Sequence, residues 1–164
     1  MHTDYPCLSV FIRVYPCVSV VKKCGKKNAV KKTVVKTNFM DKEQLNSISE
    51  KIIGCAYTVS NTLGAGFLEK VYQNAFQIEL LDKGLKVEKE KPITIYYKEK
   101  TVGEYYADLL VNDCIIIETK GVTALNEIHQ AQLLNYLKAC NLHLGLLINF
   151  GTPRVQIKRM VYGK

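Results

Sequence analysis

No stretch of this 164-residue chain is apolar over the length that spans a bilayer, so no membrane segment is expected. Its six cysteines, at 7, 17, 24, 55, 114 and 140, form no Cys-x-x-Cys and no Cys/His zinc spacing. A zinc ribbon is thereby excluded, and an iron–sulfur cluster has no supporting spacing. Cys55, Cys114 and Cys140 fall on apolar faces or in a turn, where a thiol behaves as a small hydrophobe, and this reads as a reducing cytoplasm. The first residues fit a secretory leader poorly: positive charge follows the apolar part, and Arg13 and Pro16 interrupt it. A ten-residue repeat, Tyr5–Val10 and again Tyr15–Val20, occurs twice only, too few copies for a solenoid.

Charge is also scarce where it first seems abundant. The formal net charge is +8, which points to a nucleic-acid binder. Yet residues 1–40 hold 8 Lys/Arg against 1 acid, a net +7, whereas residues 41–164 hold 15 against 14, a net +1. The basicity belongs to the tail. Two readings of residues 1–39 stand side by side: a basic, disordered extension, or upstream sequence ahead of a natural start at Met40. Either way the folded unit is expected to be one domain, residues 40–164. Removing residues 1–39 is expected to leave the melting temperature nearly unchanged in a thermal scan and to weaken salt-sensitive nucleic-acid binding. A large fall in melting temperature would show that the tail is packed.

From Asp41 the pattern becomes regular. Leu45, Ile48, Ile52, Cys55, Ala56, Val59 and Leu63 recur at helical spacing, with Gly64 and Gly66 as a stop. A second helix is expected from near Phe67 to about Lys83, with Leu68, Val71, Tyr72, Ala75, Ile78 and Leu81 inward and Gly84 as its cap. Strands follow over residues 92–97, 102–111 and 114–119. A helix over 125–140 carries a stripe of Leu125, Ile128, Leu133, Leu134 and Leu137, with His129, Gln132 and Tyr136 sharing another face. The apolar run 144–148 reads as a strand covered on both sides, and 155–161 as an edge strand. The expected order is α-α-β-β-β-α-β-β, a mixed sheet with helices on its faces.

One stretch stands apart, Ala107–Lys120, read as ADLLVNDCIIIETK. Two apolar runs flank a polar turn, as in a buried hairpin, but Asp108 opens the first and Glu118-Thr119-Lys120 closes the second. A charge in a buried strand is costly unless it is paired or bound to metal. Alone, Glu-x-Lys reads as a solvated edge pair worth little. Two close carboxylates instead suit a hard cation such as Mg²⁺, and with a lysine beside them they are equipment for phosphodiester hydrolysis. Register decides between the two. A two-residue turn at Asn112-Asp113 would set Glu118 opposite Ala107, on the other face from Asp108. A three-residue connection, Asn112-Asp113-Cys114, or a bulge between Asp108 and Val111, would set Asp108 opposite Glu118.

LGAGFLEKVY holds Gly66, Glu69 and Tyr72 in a GxxExxY pattern. YADLLVNDCIIIETK holds Asp…Glu-x-Lys, and HQAQLLNYLKACNLHLGLLINFG holds Gln-x-x-x-Tyr before a strand. In this order and spacing the chain, over about residues 44–162, resembles the PD-(D/E)XK nuclease superfamily in its RecB-like branch, and within it the GxxExxY proteins. Thr119 stands where relatives often have an apolar residue, and Ala107 where proline is common. The resemblance implies a restriction-endonuclease-like α/β core and a metal-dependent nuclease, with DNA a better expectation than RNA. Asp108 and Glu118 would hold Mg²⁺ or Mn²⁺ with the Thr119 carbonyl. Glu69 would hold a water on the metal, or a second metal. Lys120 would place the attacking water, and Gln132 and Tyr136 would anchor the phosphate or brace the site. The competing reading is a nuclease-fold module that binds nucleic acid or a protein partner without cutting. The oligomeric state is left open, a homodimer included.

Overall fold

The computed structural model describes residues 41–163; the expectations for residues 1–39 lie outside them. Asp41 opens the domain as a capping box, its carboxylate accepting from the Glu43 N–H while the Gln44 side chain accepts from the Asp41 N–H. Helix α1 (Lys42–Leu63) buries Ile48, Ile52, Cys55, Ala56 and Val59, the face its spacing predicted. It stops at Gly64, whose φ of 69° suits glycine. Cys55 and Cys114 are free thiols, and burial pushes the Cys114 thiol up to about 11. No helix among the described residues is long and apolar enough to cross a membrane.

Helix α2 (Glu69–Asp82) corrects the sequence reading. It begins two residues later than expected and turns a different face inward. Tyr72, Gln73, Phe76 and Leu80 are buried, while Leu68, Val71, Ile78 and Leu81 are exposed. Two apolar stripes compete on this helix, and the one with the rings wins because aromatic side chains bury more surface and pack specifically. Tyr72 stacks on Phe150 at 5.1 Å between centroids, and Phe76 meets the same ring edge-on at 5.7 Å.

Strand β1 (Val87–Tyr97) starts five residues before the expected strand, because its Glu/Lys-rich beginning carries no apolar signal. The others are β2 (Lys100–Val111), β3 (Ile115–Lys120), β4 (Leu144–Asn149) and β5 (Gln156–Val161), with helix α3 (Glu127–Cys140) between β3 and β4. The sheet order is β1-β2-β3-β4-β5; only β3 and β4 run parallel. This is the α/β architecture expected, a mixed sheet between helices. Pro92 is tolerated because β1 is an edge.

Helices α1 and α2 cover one face over Leu109, Val111, Ile115, Ile117, Leu146 and Ile148. Helix α3 covers the other through Leu133 and Leu137, over Ala107, Leu110, Ile116 and Leu147. Strands β3 and β4 are thus apolar on both sides, which is why each reads as an unbroken run. On α3, Ile128 is exposed rather than inward, since the helix begins only at Glu127 behind an Asn126 capping box. Tyr136 is buried beside Leu137 and not on an opposite face.

Candidate active site

The connection between β2 and β3 has three residues. Asn112 and Asp113 adopt left-handed backbone, φ 48° and 58°, which these two residue types tolerate better than most. The Cys114 N–H closes the turn on the Val111 carbonyl at 3.0 Å. Val111 therefore pairs with Ile115, Leu110 with Ile116, and Leu109 with Ile117. This is the register that brings Asp108 level with Glu118.

At that level the backbone ladder stops and side chains take over. One carboxylate oxygen of Asp108 accepts from both the Thr119 N–H and the Thr119 hydroxyl, each at 2.7 Å. In return Glu118 Oε1 accepts from the Asp108 N–H at 3.4 Å. Each carboxylate thus clasps the other's strand. The irregularity extends outward: Ala107 packs toward α3 although Leu109, two residues on, packs toward α1 and α2. Glu90, which the β1–β2 register sets opposite Asp108, has φ 51° in mid-strand.

Glu118 is 1% exposed. Burial, reinforced by the Asp108 charge, pushes its carboxyl up to about 8 against the opposing pull of Lys120. The Lys120 ammonium lies 3.4 Å from Glu118 and 3.8 Å from Glu69. Burial works against its charge, but Glu118, Glu69 and Asp108 together hold it above the ordinary lysine value.

Glu69 arrives from the other side of the chain. The loop before α2 is pinned by the Tyr72 hydroxyl, which donates to the Gly64 carbonyl at 2.8 Å and accepts from the Phe67 N–H at 3.1 Å. That fixes where the helix begins, and its first residue, Glu69, accepts from the Gly121 N–H at 3.3 Å. A Cβ on Gly121 would stand 3.3 Å from the Glu69 nitrogen, so the approach favours glycine. The structure thus brings Glu69, Asp108, Glu118, Thr119 and Lys120 together at the end of β3.

Gln132 and Tyr136 bond to each other, amide to phenol, at 2.9 Å. Burial holds the Tyr136 phenol above its usual value, opposed by the Gln132 hydrogen bond and reinforced by Glu118 and Asp108. His129 serves the α3 cap, its Nδ1 accepting from the Asn126 N–H. One residue passed unnoticed in the sequence: Asn149, fully buried at the end of β4. It bonds the Val122 N–H and carbonyl and the Gly151 N–H, bracketing the loop that follows Lys120. The Asn-Phe-Gly break after an apolar strand was its signal. Among the described residues no three His, Cys, Asp or Glu side chains form a ready metal cage.

A model of the PD-(D/E)XK nuclease superfamily matches residues 46–160, most of the chain. The chain belongs to that superfamily. No curated protein and no solved structure matches it. The PD-(D/E)XK match runs from α1 to the edge of β5 and so contains the whole carboxylate cluster. Membership in a nuclease superfamily makes nucleic acid the expected partner.

Proposed function

We propose that this chain is a metal-dependent nuclease hydrolysing phosphodiester bonds, with DNA as its nucleic acid, and that it stands with the GxxExxY proteins in the RecB-like branch. The observation that carries the reading is the Asp108–Glu118 clasp with Lys120 beside it. The donor set fits a hard divalent cation. Glu118 is buried, crowded by a second acid and only weakly hydrogen-bonded, so a positive ion would relieve it more than any protein group does. Asp108 keeps one oxygen free of hydrogen bonds among the described residues. The Thr119 N–H points to Asp108, and in an extended strand the carbonyl of the same residue points the same way. Mg²⁺ or Mn²⁺ would be held by Asp108, Glu118 and the Thr119 carbonyl, with Glu69 as an outer carboxylate.

When bound, the ion supplies Lewis-acid polarisation of the phosphate and an acidified water. The chain supplies the rest. Lys120 is held as an ammonium, so it is no proton acceptor. It is a fixed positive charge that orients the attacking water and offsets charge building on the phosphate. Gln132 and Tyr136, bonded to each other on α3, brace the site from that side. The unpaired thiols of Cys55 and Cys114 favour a reducing, cytoplasmic location.

Lys120→Ala carries the test. Wild-type protein is expected to cut DNA with Mg²⁺ or Mn²⁺, and the variant to lose roughly a hundredfold or more in kcat while its metal affinity, measured by calorimetry, falls much less. No cleavage of any DNA or RNA by the wild type with either ion would leave the non-cutting module as the reading.

A further inference from the structure

Beside the carboxylates lies a cleft of about 530 Å³ lined by Glu69, Lys70, Gln73, Glu90, Tyr106 and Asp108. One wall is the first turn of α2. The other is a ribbon: β2 pairs with β3 only from Leu109 to Val111, so the remainder of β1 and β2 projects past the sheet as two strands. Tyr106 is 60% exposed on this ribbon, two residues before Asp108. Lys70 is paired across the cleft with Glu90, whose backbone is the left-handed outlier in β1. On the α3 side, Tyr136 is buried against Tyr105 with ring centroids 6.0 Å apart, so the approach to Asp108 runs between Lys70 and Tyr106.

We propose that this cleft takes a single unpaired nucleic-acid strand, with a base stacked on Tyr106 and an adjoining phosphate on Lys70, and that a duplex does not enter it. The inference rests on the nuclease reading for what happens at Asp108, but recognition is a property of the cleft itself. An exposed aromatic face beside a cation is the equipment of strand binding, since every base offers a π-face and every nucleotide a phosphate. The paired Glu90 carboxylate occupies the position on Lys70 that a substrate phosphate would take. Asp108 lines the cleft, and Glu118, bonded to the Asp108 N–H, is 1% exposed and so out of reach of a phosphate on a closed duplex wall. A lone strand can thread between α2 and the ribbon.

The test is binding of the full chain, in metal-free buffer, to a labelled short single strand and to the duplex of the same sequence. Salt of about 0.3 M suppresses tail-borne phosphate contacts. Single strand is expected to bind about tenfold or more tighter than duplex. Tyr106→Ala should lower single-strand affinity about tenfold, Tyr106→Phe should retain it, and Lys70→Ala should lower it for every sequence alike. A 2-aminopurine in the strand should be quenched by the wild type and by Tyr106→Phe, but not by Tyr106→Ala. Equal affinity for duplex, or an unaffected Tyr106→Ala variant, overturns the proposal. Strand binding of this kind without cleavage in Mg²⁺ or Mn²⁺ leaves it standing and removes the catalytic reading. Duplex cleavage indifferent to Tyr106 does the reverse.

Discussion

Asp108→Asn and Glu118→Gln are each expected to lower Mg²⁺-dependent cleavage by roughly a thousandfold or more without unfolding the protein. Glu118→Gln should even raise its melting temperature in metal-free buffer at alkaline pH. The sign follows from the buried carboxyl. In the unfolded chain it ionises near 4.5, whereas in the fold burial and Asp108 hold it protonated to about 8. Between those values the folded state binds the extra proton, so stability falls as pH rises from 4.5 to 8. Glutamine removes that slope. The gain is on the order of a few kcal/mol above pH 8, and it is already net of the attraction to Lys120, which is among the influences on the carboxyl. Asp108→Asn acts in the same direction by removing the neighbouring charge. Melting scans across pH with and without Mg²⁺, set beside cleavage rates, test both halves. Wild-type cleavage by either variant would sink the site assignment.

Gly151→Ala is expected to be among the most damaging small substitutions in the domain. A Cβ there would lie 2.4 Å from the backbone nitrogen and oxygen of Val122 and 2.5 Å from the Gly121 carbonyl carbon. Those are main-chain atoms held by Asn149, so no side chain can swing aside. A cost of roughly 2–4 kcal/mol follows, a fall of about 10 °C in melting temperature. The displaced Gly121 would also withdraw its N–H from Glu69. Gly54→Ala is the control: its Cβ would meet nothing within 4 Å in mid-helix, and a gain of about 0.5–1 kcal/mol is expected. Equal melting temperatures for the two variants would refute the close-approach argument.

How much of this was legible in the chain depended on the kind of signal. Helix α1 and strands β3 and β4 declared themselves, because each has one apolar pattern and one way to bury it. The expected element order held for the same reason. Helix α2 misled because Val71, Ile78 and Leu81 match helical spacing as well as Tyr72, Phe76 and Leu80 do. Only Phe150, distant in sequence, decides between them. Asp108, Glu118 and Lys120 were conspicuous as charges inside apolar runs. Their meeting could be posed only as a question of register, which the three-residue turn answers. The supports of the site were hidden. Asn149 and Gly151 act on residues 121 and 122, and no local periodicity announces a contact across that separation. Glu90 was equally silent, since its left-handed backbone leaves no trace in composition.

The turn at Asn112–Cys114 also says which hereditary changes this hairpin can absorb. Its letters matter modestly: another residue at Asp113 would strain one φ angle and lose the Lys86 contact, both at the surface. Its length has latitude too: losing one of residues 112–114 leaves a two-residue connection that still closes on the Val111–Ile115 pair. The strands beside it have none. Loss of one residue between Asp108 and Val111, or between Ile115 and Glu118, changes the parity between the two carboxylates, and the side chains beyond it change sides. Without Leu110, Glu118 would come opposite Ala107, and Leu109 would leave the cluster under α1 and α2 for the α3 side. Surface loops are ordinarily where insertions and deletions are borne most easily. An in-frame deletion scan should find that contrast within a few residues here, with single-residue loss at 112–114 borne far better than loss at 109–111 or 115–117.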